Sequence, residues 1–128
     1  MYLNFFLIIL FFQSCFFPSK YWKEYKSFYT DAENRGCIFY PVDIYFSKLD
    51  SEIAGLCVYH FGIIINEELW QKYGPFQRLE LMYHELGHCV LDYDHSIGIM
   101  NEYIHEENEI KKNWSIWRDK FFHECSNL

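Results

Sequence analysis

Basic residues are scarce in this chain. Lys and Arg number 11 against 18 Asp and Glu, a formal charge of −7. That sign argues against nucleic acid as a partner, since its recognition needs a basic surface. No two cysteines have CxxC spacing, which argues against a thioredoxin-type motif and a cysteine-based zinc site. Repeats, low-complexity stretches and linkers are also missing, so the 128 residues read as one domain behind a leader. The apolar run at 2–12, broken only by Asn4, falls short of the ~20 residues that a membrane span requires.

A run of that length instead fits the hydrophobic region of a signal peptide. It ends in Phe12-Gln13-Ser14-Cys15, and a small residue before a cysteine resembles a bacterial lipoprotein processing site. Phe12 stands where leucine is usual, and no Lys or Arg precedes the run. The reading is a signal peptide over 1–15 with lipidation at Cys15, and a domain over 16–128 that is exported, either membrane-anchored or secreted. Ordinary cleavage and an uncleaved anchor are the alternatives. With Cys15 set aside, Cys37, Cys57, Cys89 and Cys125 suggest two disulfides, with three connectivities that sequence does not separate.

The motif that carries chemistry is His84-Glu85-Leu86-Gly87-His88, with His95 beyond it. Histidines four apart on a helix lie one turn above each other, so both imidazoles can bind one metal ion. The glutamate after the first can reach a water on that metal and act as its general base. Five letters alone are weak, but their helix adds weight. Pro75 suits a first helical position, and Leu79, Met82, Tyr83, Leu86 and Val90 form one apolar stripe. His84 and His88 point away from that stripe and must pack beneath another element. Zn²⁺ is the expected metal.

The stretch HELGHCVLDYDHS resembles the zinc signature of the metzincin clan of zincin metalloproteases, HExxHxxGxxH followed by a methionine turn. The likeness covers 63–101. It implies an α+β, zincin-like fold, with a small sheet, an active-site metal helix and a C-terminal helix. It also implies peptide or protein as substrate, His84 and His88 as zinc ligands, Glu85 as catalytic base, and Met100 as the methionine of the turn. The clan's third ligand falls at Asp94, with His95 one residue later, and its bend glycine falls at Leu91. His95 suits a three-histidine site if the turn holds one extra residue, and Asp92-Tyr93-Asp94 is suitable turn chemistry. Asp94 is the alternative third ligand. Other zincins complete the site with a later glutamate, for which Glu102, Glu106 and Glu107 lie within range, although acidic residues also suit a helix start. Tyr103 is assigned no catalytic role.

Two further readings compete with a peptidase. One is a non-catalytic zinc-binding exported lipoprotein, in which Glu85 has no use. The other is a zinc amidase acting on cell-wall peptides. Oligomeric state is not legible.

Around the motif, 19–35 reads as a helix with an aromatic face of Tyr21, Trp22, Tyr25, Phe28 and Tyr29, ended by Gly36. Strands are expected at 42–47, more weakly at 56–59, and at 62–65, with a short helix at 66–70. In zincins the strand before the metal helix often borders the cleft, a role that would fall to 62–65 here. A last helix is expected over about 102–125, with Ile110, Trp114, Trp117 and Phe121 on one face. Cys89 is read as structural, and His60, His105 and His123 are given no chemistry.

Overall fold

A computed structural model describes residues 19–123 and 125. The segment 1–15 expected to be a signal peptide, Cys15 included, lies outside the described residues. The architecture is α+β: among the described residues, four helices and one 3₁₀ turn pack with a three-stranded mixed sheet. None of these helices is long and apolar enough to cross a membrane.

The aromatic stripe of the first segment forms α1 (Trp22–Asn34), which buries Phe28 and Ala32. It is shorter than its apolar pattern because Trp22 N–H first closes a turn onto the Ser19 carbonyl. Gly36 ends it at φ +80°, a conformation open to glycine at no steric cost. The strands are β1 (Ile44–Ser47), β2 (Gly55–Val58) and β3 (Gly62–Asn66), in the order β1-β3-β2. β1 runs parallel to β3, and β2 runs antiparallel to it.

This order corrects one expectation. The strand that precedes the metal helix is the central strand, and the edge at the cleft is β2. Ile63 and Ile65 are fully buried, so β3 suits the middle of the sheet. The turn through His60, at φ +62°, folds β2 back along its outer side.

Asn66 ends β3 and caps α2 (Glu67–Lys72), its side-chain oxygen accepting from Glu68 N–H at 3.2 Å. Its amide nitrogen donates to the carbonyls of Asp50 at 3.2 Å and Ile53 at 2.8 Å, which ties down the loop leading into β2. The helix that carries His84, Glu85 and His88 is α3 (Pro75–Leu91), with proline in its first turn as expected. Glu107 also caps it: the carboxylate accepts from Phe76 N–H at 3.0 Å and Gln77 N–H at 2.9 Å.

The last helix, α4 (Glu107–Phe121), starts later than 102. Groups before it are committed elsewhere: His105 N–H donates to Glu80 at 2.9 Å and the His105 carbonyl accepts from Gln77 at 3.1 Å. It also stops short of Cys125, which is bonded to Cys37. The second disulfide joins Cys57 on β2 to Cys89 on α3, so one of the three connectivities is selected and Cys89 is structural. Such bonds persist in oxidising compartments. α3 is the hub of the molecule, touching α1, α4, β2, β3 and the 3₁₀ turn at Gly98–Met100.

Candidate metal centre

α3 presents two faces. Tyr83 and Leu86 point into the core, fully buried, while His84, Glu85 and His88 line a cleft of about 800 Å³ bordered by Gly55, Leu56 and Cys57 of β2. The histidines do pack beneath other elements, as their position opposite the apolar stripe demands.

Each imidazole of the helix is held by a backbone carbonyl. His84 Nδ1 lies 2.9 Å from the Ile99 carbonyl, and His88 Nδ1 lies 2.6 Å from the Tyr93 carbonyl. A carbonyl oxygen only accepts, so both Nδ1 atoms carry hydrogen, and in the neutral rings both Nε2 atoms carry lone pairs. Those two Nε2 atoms converge to 3.1 Å. Two facing lone pairs are satisfied by a proton shared between them or by a metal ion. The His95 ring closes the set, with its centroid 5.2 Å from that of His84 and 4.9 Å from that of His88.

His84, His88 and His95 offer ligand atoms within 4.8 Å of one another, a group able to hold a metal ion. The donor chemistry fits. Imidazole suits zinc and its first-row neighbours, and outward N–H bonds to carbonyls are the usual way of fixing ligand orientation. Burial, helped by His88 and His95 nearby, pushes His84 down to about 4 against the opposing Ile99 hydrogen bond. It is therefore neutral, the form that binds metal. Asp94 is exposed and stands outside the group.

How His95 comes into reach explains the missing glycine. α3 ends on Asp92, whose φ of +55° places it in the left-handed region, and Tyr93 N–H bonds the Gly87 carbonyl at 3.1 Å. Aspartate tolerates this conformation better than most residues, so it makes the bend that glycine would otherwise make. The chain then passes His95 and forms the 3₁₀ turn, where the Ile99 carbonyl meets His84. Met100 is buried beside it against α3. A Cβ on Gly87 would lie 2.7 Å from Met100 Sδ and 3.0 Å from Phe121, so only glycine allows this approach.

Glu85 is buried, 5% exposed, against the edge of β2. A Cβ on Gly55 would sit 2.8 Å from Glu85 Oε1, so glycine there makes room for the carboxylate. Burial pushes Glu85 up to about 7, opposed by a backbone hydrogen bond at Cys57. The carboxyl is thus poised between its two protonation states near neutrality.

Of the later acids, Glu102 and Glu106 line the cleft outside the histidine group, whereas Glu107 is turned to the start of α3. Tyr103 also lines the cleft and is 70% exposed. Sequence reasoning missed two residues that shape the site from behind. Glu80, 1% exposed, accepts from both the backbone N–H and the ring Nδ1 of His105, and Asn66 pins the loop before β2. Compared with protein-family models, curated proteins and solved structures, the chain matches none.

Proposed function

We propose that the protein is a zinc-dependent metallopeptidase of the metzincin type, with His84, His88 and His95 as zinc ligands and Glu85 as general base. The observation that carries this reading is the fixed convergence of the two helix imidazoles, with a buried carboxylate on the intervening residue facing the same cleft. A purely structural metal site has no use for that carboxylate. Three protein ligands, rather than four, suit a catalytic zinc.

Zinc, when bound, supplies a Lewis acid that acidifies water and polarises a carbonyl group. Glu85 takes the proton of the attacking water at its carboxylate and returns it to the leaving amine. The Ile99 and Tyr93 carbonyls keep the imidazoles of His84 and His88 in one orientation and tautomer throughout. β2, at the sheet edge, offers backbone groups to an extended peptide. Met100 and Gly87 hold the 3₁₀ turn against the helix, in the manner of a methionine turn. Export with a lipid anchor at Cys15 belongs to the same reading, and the two disulfides support an oxidising destination.

The test is zinc per chain together with hydrolysis of unfolded protein and of peptidoglycan fragments. About one zinc is expected, retained in Asp94→Ala and lost in His95→Ala. Glu85→Gln should keep the metal and lose roughly 10²–10⁴ in turnover. A folded protein without zinc, or a Glu85→Gln variant as active as the parent, overturns the reading. Cleavage of peptidoglycan fragments alone turns it into a cell-wall amidase.

A further inference from the structure

The rim of the cleft carries acids from three segments, while β2 contributes none. Glu52 comes from the loop before β2, Asp92 and Asp94 from the bend after α3, and Glu102 and Glu106 from the segment leading to α4. No lysine or arginine is among the residues that line the cleft. None of these five carboxylates belongs to an ion pair among the described residues, whose bridges join Lys20 to Glu67, Arg35 to Asp119, His105 to Glu80 and Arg118 to Asp31. All five residues are exposed to solvent.

This rim does not stand alone. At its floor His84, His88 and His95 bring their ligand atoms within 4.8 Å of one another, a group able to hold a metal cation. One divalent ion there would not neutralise the cleft, since five rim carboxylates exceed its charge. Field lines from like charges around a low-dielectric cleft are focused into it, which raises the local concentration and arrival rate of opposite charge.

We propose that the substrates of this cleft are cationic peptide segments, carrying several Lys or Arg side chains that meet the Glu52 side and the Glu102 side of the rim. The proposal rests on the peptidase reading for the cleavage itself, but selection by charge stands apart from it. Whole-chain charge does not carry this inference. What carries it is that acids from three separate segments border one opening with no Lys or Arg among its lining residues, Lys120 lying in the adjoining cavity beside Asp94.

The test uses the full chain and three fluorogenic peptides of one length, identical except that four positions are all Lys, all Ala or all Glu. Specificity constants kcat/KM are measured with the zinc-loaded protein, and binding of the same peptides is measured by anisotropy with Glu85→Gln. At about 20 mM salt the Lys peptide should exceed the Ala peptide by about tenfold or more in both, and the gap should shrink severalfold at about 500 mM. Glu52→Lys with Glu102→Lys should bring the Lys-to-Ala ratio near one or invert it, while Glu52→Gln with Glu102→Gln should fall between. Urea unfolding of each variant checks that the fold is intact.

Cleavage of all three peptides without charge preference overturns the proposal and leaves the peptidase reading standing. So does a preference that survives the double Lys variant. Salt-dependent binding of the Lys peptide, lost in the double variant but with no peptide cleaved, supports the proposal and defeats the peptidase reading. Absence of both binding and cleavage overturns both.

Discussion

Toward α1 and α4, Tyr83 of the metal helix meets Phe28, Trp114, Phe121 and Phe122 at centroid distances of 5.3, 4.9, 5.9 and 6.1 Å. Toward β2 and the chain after residue 95, the same helix meets carbonyls, a disulfide and carboxylates. The first side is held chiefly by area and shape, which are non-directional and shared among many contacts, with the Tyr83 hydroxyl adding bonds to Ser27 and Asp31 at its margin. The second is held by single polar bonds between particular atoms. Loss of one partner there leaves the other buried and unsatisfied. The aromatic side therefore fixes where α3 lies, and the polar side fixes where its histidines point.

Breaking the aromatic side should have the largest effect. Phe28, fully buried, contacts Phe39, Tyr83, Phe121 and Phe122. Phe28→Ala should cost about 3–5 kcal/mol in urea unfolding, lowering the midpoint without changing its slope. A loss below about 1 kcal/mol would mean that the ring cluster relaxes around the gap and that area is not what holds this side.

On the polar side, Asn66→Ala removes the cap of α2 and the donor that ties down the loop before β2. A cost of about 2 kcal/mol is expected. Hydrogen exchange should show where it falls, with 49–58 opening ahead of α1 and α4. Uniform opening of the whole domain would deny the two sides their difference. Glu107→Ala is milder, at about 1 kcal/mol, because it uncaps α3 at an end open to water. Its signature is faster exchange at Phe76 and Gln77.

The same contrast decides what the sequence could reveal. His84, His88 and Glu85 were legible because they lie on one helix at a spacing set by its pitch, and His95 follows within one turn. The aromatic core was legible for the same reason: Ile110, Trp114 and Phe121 repeat at helical intervals and are buried. Partners across the chain leave no periodic trace. Glu80 meets His105 across 25 residues, Glu107 meets Phe76 across 31, and Asn66 meets Ile53 across 13, so these acids and this amide read as ordinary surface residues. Strand order was hidden likewise, which is why the edge at the cleft was assigned to 62–65 rather than to β2. Asp92 is the intermediate case. Its turn chemistry was visible, but its left-handed backbone, which delivers His95, needed coordinates.

The smallest effect tests a polar group placed on the aromatic side. Glu24 lies in the first turn of α1, 8% exposed, and its buried Oε2 meets no hydrogen-bond partner among the described residues. Burial raises its pKa above the ordinary carboxylate value, against the pull of its own backbone N–H and of Arg78 and Lys23. The folded protein then binds the proton more tightly than the unfolded chain does. Glu24's contribution is fully present below the unfolded value of 4.5 and is lost as pH rises through the raised folded value. Glu24→Gln, which keeps the shape but not the charge, should match the parent near pH 4 and exceed it by up to about 1 kcal/mol at pH 7. The check is the difference between the two unfolding free energies across that window. A constant difference would place Glu24's carboxylate in water and leave the Tyr83 hydroxyl, with Ser27 and Asp31, as the polar contact of the aromatic side.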